Sequence, residues 1–466
     1  MGGFFVILRP VKNFEPNICM TTLPSNKLST EKIGKLIWEY SVPSIVGMVV
    51  MSVYNIVDRI FIGQGVGALA ISGLALTFPF MILLQAFGML IGAGAASRIS
   101  INLGENKIQR AEKVLGNALT LTVLISGSVA LIAFLLMDYL LILFGGTELT
   151  IGYARDYMQI IIPGSVLSAT LYGFNNIMRA SGFPRKAMYT MIIGALVNVV
   201  LDPLFIFVFK WGIQGAAIAT VISFIVGSWW VLSHFNLPES HIKFRKDNFR
   251  LQKDIVRSIL NIGMSPFSMQ IATSLVVILI NGTLLQHGGD LAIGAYGIIN
   301  SLITLVIMVV LGLNQGTQPI VGFNYGARQY DRMFRTVKLA IITGTALTTA
   351  GFLLGMFFSD QSVSLFTTDT GLTNIAANAL RISIFMFPVV GFQIVISNFF
   401  QSIGKARVSI FLSLTRQFIF LIPAILILPR LYGLNGAWAA MPVSDALATL
   451  TAGYTFYRFY KGFKSP

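Results

Sequence analysis

The chain has 466 residues, of which 55% are hydrophobic and only 11% are charged, and its formal net charge is +15. This composition is typical of a polytopic membrane protein and excludes a soluble protein of several domains. The placement of the positive charges argues against nucleic-acid binding, because 27 of the 33 Lys and Arg residues fall on one side of the predicted membrane.

Twelve apolar runs follow one another with short loops between them, and each is long enough to cross a bilayer as a helix. We expect these spans at 41–63, 69–93, 115–137, 157–178, 187–209, 213–234, 261–285, 291–313, 337–358, 377–400, 408–429 and 434–457. The predicted fold is therefore an all-α integral membrane bundle of twelve transmembrane helices.

The second half of the sequence repeats the first at a nearly constant spacing. Asn102-Leu103-Gly104 recurs as Asn324-Tyr325-Gly326, and Gly182 recurs as Gly404. Because each half has an even number of spans, the two copies share one orientation, and the two-fold axis relating them runs along the membrane normal. This predicts two six-helix lobes with an interface between them, as in an alternating-access transporter. An old duplication without mechanistic meaning is the alternative.

The charge pattern and the repeat together predict the organisation of the chain. We expect a cytoplasmic N-terminal segment at 1–40, a first lobe at 41–234, a basic cytoplasmic linker at 235–260, a second lobe at 261–457 and a cytoplasmic tail at 458–466. Within the linker, residues 241–257 alternate basic and apolar side chains, which predicts an amphipathic helix on the anionic inner leaflet; a regulatory partner site is the alternative. The excess of Lys and Arg places both termini in the cytoplasm.

The N-terminal residues carry few signals. The apolar patch at 4–8 is too short for the core of a signal peptide, and Met20 is an alternative start of translation. The single cysteine, Cys19, excludes a disulfide framework and a cysteine-based metal site.

Carboxylates inside the predicted spans are the main functional signal. An ionised Asp in a membrane helix costs about 2.5–3.5 kcal/mol, so it should face protein or water and mark an ion pathway. Asn198 and Asp202 are four residues apart and share one helix face. At about 1.5 Å per residue, Asp58 and Thr220 lie at a similar depth in the outer half of the same lobe. The predicted cation-coupling site comprises Asp58, Asn198, Asp202, Thr220 and Asn55.

Two carboxylates together with amide and hydroxyl oxygens suit a proton or a sodium ion, and Asp58 with Asp202 is the one place where we expect a metal ion, Na⁺, to bind. Two carboxylates in a poorly hydrated pocket cannot both ionise cheaply. Pro203 follows Asp202 directly, and a proline-induced kink beside a carboxylate gives protonation a way to change helix shape. A plain helix–helix polar contact is the alternative.

The second lobe has a different pair of charges. Arg416 and Asp445 are expected at a similar depth near the midplane, which predicts a buried ion pair with a structural role. Ala424 stands near the position that matches Asp202, so a cation site is expected in the first lobe only.

Methionine, aromatic and amide side chains within the spans predict an apolar cavity that binds apolar cations of varied structure. The candidates are Met51, Tyr54, Phe78, Gln85, Gln270, Met269 and Gln393. Lipid-facing or core positions are the alternative for each of them. The sequence has no phosphate-binding Gly-x-x-x-x-Gly-Lys-Ser/Thr loop, no His-Glu-x-x-His motif and no nucleophile–base constellation. We therefore expect neither ATP drive, nor an organic cofactor, nor enzyme activity.

Several stretches resemble the multidrug and toxic compound extrusion (MATE) transporter family. They are 54–63, 102–104, 179–182 and 198–203, and the stretch 266–270, with Arg416 followed by Pro423, resembles the MepA-like, DinF-type branch. The resemblance implies a V-shaped bundle of twelve helices that expels cationic amphipathic compounds against a proton or sodium gradient. It places the ion site on Asp58, Asn198, Asp202 and Thr220.

The resemblance also implies a monomer in the cell's cytoplasmic (inner) membrane, with small organic cations and the lipid bilayer as its partners. A flippase for lipid-linked oligosaccharides, with the same broad fold, is the alternative function. Such a flippase should have a basic cavity, whereas the predicted span interiors offer only Arg59 and Arg416.

Overall fold

The computed structural model describes residues 24–143, 147–366 and 369–464. Cys19, Met20 and the apolar patch at 4–8 lie outside the described residues, as do the side chains of Asn55 and Arg59. Every regular element in the described part is a helix. This agrees with the apolar sequence, because a helix satisfies its own backbone hydrogen bonds where no water is available.

The first lobe contains six long helices, here called spans 1 to 6. They are Ile33–Gly65, Ala68–Gly104, Ile108–Leu135, Ile151–Ala180, Pro184–Pro203 and Gly212–His234. Span 5 continues beyond Pro203 as a π-helix, Leu204–Val208. A short helix, Met137–Leu143, connects spans 3 and 4.

The second lobe contains spans 7 to 12. Spans 7 and 8 are the two parts of Lys253–Gly326, which is broken at Gly289, and span 9 is Tyr330–Phe357. Span 10 consists of Thr370–Ser383 and Phe387–Ser402, which meet at a bend of 55°. Span 11 consists of the helix Ala406–Leu414, the π-helix Thr415–Leu421 and the first part of the helix Ile422–Lys464. That last helix is broken at Gly433, and the part after the break is span 12. The short helix Ser359–Ser364 connects spans 9 and 10.

The helices account for twelve membrane crossings in the described residues. Nine stretches are long and apolar enough to cross a membrane, or ten with the bent pair of span 10 counted as one. One of the nine, Ala406–Phe463, has 58 residues and is about 87 Å long, enough for two crossings. Ile151–Ala180, with 30 residues, is also long enough to cross. The predicted all-α bundle of twelve spans is confirmed, although its helices extend beyond the apolar runs, with span 1 starting at Ile33 rather than at 41.

Backbone geometry repeats between the lobes at the spacing found in the sequence. Four pairs of residues with positive φ occupy matching positions of the repeat: Gly67 and Gly289, Asn106 and Arg328, Gly182 and Gly404, and Gly212 and Gly433. Asn106 and Arg328 both have φ 57°, a conformation that is costly for residues other than glycine. The same strained turn is therefore present in both lobes, as expected for two copies of one fold.

The lobes pack against each other at one end of the bundle. We call it the basic end, and it is where spans 2, 4, 6, 8 and 10 end, at Gly104, Ala180, His234, Gly326 and Ser402. A Cβ atom on Gly104 would overlap the carbonyl oxygen of Phe323, and a Cβ atom on Gly326 would overlap that of Ile101. Glycine at these two matching positions lets spans 2 and 8 cross with their backbones in contact.

Spans 1 and 7 complete this interface. Gly316 of span 8 lies against Ser41 of span 1, whose Oγ donates to the Leu313 carbonyl oxygen at 3.4 Å. Gln318 of span 8 donates to Ser97 Oγ of span 2 at 2.7 Å. Further hydrogen bonds between the lobes join residues in this half of the bundle, among them those of Asn324 and Arg332 with the carbonyl oxygen of Leu28. The structure is therefore closed at the basic end.

Residues 241–252 do not form the predicted amphipathic α-helix, which begins only at Lys253 as the start of span 7. Residues 235–252 contain one short 3₁₀ helix, Lys246–Phe249. Ile242 is fully buried, and the ring of Phe244 packs 6.2 Å from Phe174 and 5.6 Å from Phe235, centroid to centroid. Ile242 and Phe244 therefore pack against the first lobe, whereas Phe249 and Leu251 are exposed.

Span 3 holds the linker in place with hydrogen bonds. Asn117 Nδ2 donates to the carbonyl oxygens of Asn248 and Arg250, each at 3.0 Å, and its Oδ1 accepts from the Gln252 amide at 2.8 Å. Glu112, also buried in span 3, pairs with Arg245 at 2.7 Å. The linker is therefore fixed to the first lobe, and span 7 begins immediately after it at Lys253.

Candidate functional site

The polar residues of spans 5 and 6 meet inside the first lobe. Asn198 and Asp202 are fully buried, and Asn198 Nδ2 donates to Asp202 Oδ1 at 3.2 Å. The same Nδ2 donates to Thr220 Oγ1 of span 6 at 3.3 Å. The first contact follows from the four-residue spacing on one helix face, and the second joins two neighbouring spans. The structure thus brings together three of the five residues predicted for the cation-coupling site.

Asp58 of span 1 adds a second carboxyl group to this cluster. Its side chain is only 8% exposed, and its carboxyl group lies beside that of Asp202. Two neighbouring carboxyl groups that are shielded from water cannot both carry a negative charge cheaply. Asp202 Oδ2 and Asn198 Oδ1 have no hydrogen-bond partner in the described protein. The cluster therefore has the capacity to hold a proton or a cation.

The π-helix of span 5 begins directly after this cluster. Pro203 has no amide hydrogen to donate, and beyond it the chain forms the π-helix Leu204–Val208, with the Phe209 amide donating to the Leu204 carbonyl oxygen at 2.9 Å. Gly65, at the end of span 1, lies against Ile206 of this segment. Sequence reasoning expected a kink at Pro203, and the structure has a change of helix type there. Single-turn π-helical insertions are often found at functional sites.

Two of the predicted cavity residues lie beside the carboxyl groups. Tyr54 is near Asp58 and Asp202 and also near Tyr157 and Tyr172 of span 4. Met51, one helical turn before Tyr54, accepts a hydrogen bond from the Tyr172 hydroxyl at 3.8 Å. Sequence reasoning missed Tyr157 and Tyr172. The available signal was their position within a span, since a buried Tyr hydroxyl generally needs a partner.

The other predicted cavity residues are more widely distributed. Phe78 is exposed, and Gln85, Met269 and Gln270 are partly buried on spans 2 and 7. Gln393 is buried in span 10 and donates to Ser397 Oγ at 3.5 Å. These five residues lie on spans 2, 7 and 10, whereas Met51 and Tyr54 lie on span 1.

Spans 2 and 7 also contact each other across the lobe interface. The rings of Phe87 and Phe267 have centroids 5.0 Å apart. Gln85 lies two residues before Phe87, and Met269 lies two residues after Phe267. Gln85 and Met269 are therefore near the interface between the lobes.

The second lobe holds an ion pair on its last two spans. Arg416 Nε and Asp445 Oδ1 are 2.6 Å apart, and Arg416 belongs to the π-helix Thr415–Leu421. The residues at the matching positions of the first lobe are uncharged, Gly194 on span 5 and Phe224 on span 6. The second lobe thus has one acid and one base, on spans 11 and 12, whereas the first lobe has two acids, Asp58 on span 1 and Asp202 on span 5.

No metal-binding cluster accompanies these sites. Among the described residues, no group of three or more His, Cys, Asp and Glu side chains could hold a metal ion. The first-lobe cluster has two carboxyl groups together with amide and hydroxyl oxygens, so it offers ligands to a hard monovalent cation rather than to a transition metal.

The sequence is similar to one family along most of its length. The family profile described as MatE matches residues 43–204 and 266–426. Multidrug export protein MepA of Staphylococcus aureus (strain MRSA252) is 25% identical over 429 residues, which cover 91% of this chain and 94% of that protein. The MepA protein of Staphylococcus haemolyticus (strain JCSC1435) is 24% identical over 425 residues, which cover 91% and 93%.

Solved structures show the same similarity. The MATE multidrug transporter DinF-BH is 38% identical and superposes with a TM-score of 0.86 over 92% of this chain and 96% of that one. A multidrug resistance MATE family transporter of the MOP superfamily, in an outward-facing conformation, superposes with a TM-score of 0.89 over 95% and 99% at 23% identity, which shows the fold alone. On this similarity of sequence and fold, the chain belongs to the MatE family of multi-pass membrane transporters and is MepA-like within it.

Proposed function

We propose that this protein exports cationic amphipathic compounds in exchange for a cation, by exposing a site between its lobes to the two sides of the membrane in turn. The observation that carries the proposal is the contact between Asp58 and Asp202 inside the first lobe. A carboxyl group inside a membrane span is costly when ionised, and binding a cation offsets that cost. The similarity to proteins named as multidrug exporters supports the choice of substrate class.

The contact between the carboxyl groups supports a proton as the coupling ion. One proton held between Asp58 and Asp202 removes one negative charge from the pair and needs no other ligand. A sodium ion needs several oxygens around it, and Asn198 Oδ1 and Thr220 Oγ1 are available to supply them. The test below therefore treats both ions.

We also propose that the basic end faces the cytoplasm. The excess of Lys and Arg at this end fits the positive-inside rule, which places both termini in the cytoplasm and the protein in the cell (inner) membrane. In this orientation the closed end of the structure is cytoplasmic, and Asp58 and Asp202 lie in the outer half of the first lobe. Export then requires a second state, in which the lobes separate at the basic end.

The residues around the carboxyl pair suit an organic cation. Met51 offers a polarisable thioether, and Tyr54 and Tyr172 offer aromatic faces that attract positive charge. We propose that the chain works as a monomer, because both lobes of the interface belong to one polypeptide. Transport without covalent chemistry is in keeping with the curated relatives, which are named as exporters.

Cellular accumulation of ethidium tests the proposal. Cells that express the chain should accumulate less ethidium than cells with the empty vector, and a protonophore should abolish the difference. Purified protein in liposomes should move protons when substrate is added, and repeating the measurement with and without sodium identifies the coupling ion. Unchanged accumulation across a broad panel of organic cations would contradict drug export and favour the lipid-linked oligosaccharide flippase.

A further inference from the structure

Two grooves flank the crossing of spans 2 and 8 at the basic end, and the pseudo-two-fold axis relates one to the other. The first groove lies between spans 1 and 8 and is lined by Leu36, Tyr40, Ile320 and Phe323. The second lies between spans 7 and 2, where the residues at matching positions are Ser258, Ile262, Arg98 and Ile101. Each matching pair is separated by the spacing of the internal repeat, so the same place in the fold is apolar on one flank and more polar on the other.

The first groove is filled by the short N-terminal helix Pro24–Thr30. Leu28 of this helix is 2% exposed and packs in one cluster with Leu36, Tyr40, Ile320 and Phe323. Span 1 belongs to the first lobe and span 8 to the second. A single leucine therefore contacts both lobes at the end where they are closed.

Arg332 of span 9 binds the end of the same helix. Its Nη2 donates to the carbonyl oxygens of Leu28 at 3.1 Å and Glu31 at 2.6 Å, and its Nε donates to Asn324 Oδ1 at 3.2 Å. The last carbonyl groups of a helix have no partner within the helix and carry its partial negative charge, so a guanidinium binds them well. On the first-lobe side, Lys27 pairs with Glu39 of span 1 at 2.6 Å.

The second flank lacks this arrangement. Arg110, which occupies the position in the first lobe that matches Arg332, makes an exposed ion pair with Asp254 at 3.3 Å. Exposed pairs of this kind contribute little to stability. The groove beside it is a cavity of about 370 Å³ with Arg98 and Tyr325 in its lining. The closure of the basic end is therefore asymmetric, with the tighter contacts on the side of the N-terminal helix.

We propose that residues 24–31 form a latch that holds the basic end closed. Separation of the lobes at this end moves Leu36 and Tyr40 away from Ile320 and Phe323, so Leu28 has to leave its groove and Arg332 has to release the two carbonyl groups. The latch thus shifts the balance between the two states of the transporter towards the one closed at the basic end. This device acts on the conformational balance and does not depend on the transported compound.

The distance between the lobes at the basic end tests the latch. Arg185 and Arg407 are both exposed there, at matching positions of the two lobes, and each can be replaced by a spin-labelled cysteine in a Cys19→Ser background. Double electron–electron resonance spectroscopy then measures the distribution of distances between the two spin labels. Arg332→Gln and Leu28→Glu each remove a different part of the latch, and Arg110→Gln is the matched control at the equivalent arginine.

We expect each latch variant to raise the ratio of long to short distances about tenfold, because each loses charge-assisted hydrogen bonds or apolar packing that only the closed state provides. Arg110→Gln should change the ratio less than twofold, and Leu28→Ile should keep the parent distribution. A variant that lacks the residues before Lys32 should show the same increase as the two latch variants. If Arg332→Gln or Leu28→Glu does not fold, this truncated variant is measured in its place.

Two outcomes overturn the proposal. One is an unchanged distribution in the variants that elute as a single folded species. The other is an equally large change in Arg110→Gln, since the effect would then not be particular to the latch. The measurement needs neither substrate nor ion gradient, so its result is independent of the proposed export function.

Discussion

Arg416 and Asp445 form an ion pair inside the membrane-spanning part of the second lobe, with Nε and Oδ1 2.6 Å apart. The Asp445 side chain is 4% exposed and that of Arg416 is 19% exposed. They join span 11 to span 12. Burying a single charge lowers the stability of a protein much more than burying an ion pair. Each of the two residues therefore reduces the free-energy cost of burying the other.

The first prediction concerns the stability of this pair. Arg416→Ala leaves Asp445 without its cation and should lower the free energy of unfolding by about 3–5 kcal/mol. Arg416→Ala combined with Asp445→Ala should lower it less, because no lone charge remains buried. Thermal unfolding of the purified protein in detergent measures both. Losses that add strictly would show that the two residues do not interact.

The second prediction concerns coupling. Asp202→Asn imitates a permanently protonated carboxyl group and should abolish gradient-driven export while the protein stays folded and binds substrate. Asp58→Asn should do the same or shift the pH dependence of export. The measurement is export from liposomes under an imposed proton or sodium gradient. Asp445→Asn is the control and should act mainly through stability, whereas full export by the Asp58→Asn, Asp202→Asn double variant would rule out this site.

The third prediction concerns the close packing of spans 2 and 7. A Cβ atom on Gly263 would overlap the carbonyl oxygen of Leu90, so Gly263→Ala should force these spans apart and destabilise the protein by about 1–3 kcal/mol. Gly282 lies in the same long helix with open space around it. Gly282→Ala should therefore be neutral or stabilise by up to about 1 kcal/mol, as in an unobstructed helix. Equal melting temperatures for the two variants would contradict the overlap.

The fourth prediction concerns the anchor of the linker. Asn117→Ala removes three hydrogen bonds to the backbone at Asn248, Arg250 and Gln252 and should cost about 1–3 kcal/mol. Hydrogen exchange of the Gln252 amide should become faster, because that amide loses its acceptor. Gln109→Ala, an exposed change in the same helix, is the control. Unchanged exchange at Gln252 would show that the linker is held by other contacts.

Residue spacing made much of the first-lobe cluster predictable. Four residues separate Asn198 from Asp202, and a helix brings such residues together whatever surrounds them. The contact with Thr220 followed from estimated depth, since spans 5 and 6 are antiparallel neighbours. The depths estimated from the sequence for Arg416 and Asp445 were also similar, and in the structure the two side chains are within hydrogen-bonding distance.

Other features had no signal in the sequence. The π-helix Leu204–Val208 is made of apolar residues that suit an α-helix equally well. The phenylalanines of the linker could have faced lipid or protein, and only the shape of the first lobe decides between the two. Arg179 lies just beyond the predicted span 157–178, but span 4 continues to Ala180 and buries it, with its Nη2 donating to Asn176 Oδ1 at 2.5 Å.

The anchored linker has a geometric consequence for access to the transporter. No free residue separates Gln252, whose amide is bound to Asn117, from Lys253, where span 7 begins. The start of the second lobe is thus tethered to span 3 of the first. In the proposed second state, the lobes would therefore part by a rotation about the linker side, with the wider gap beside Leu28. A compound entering from this end would then approach from one side of the molecule, although the fold itself is nearly symmetric.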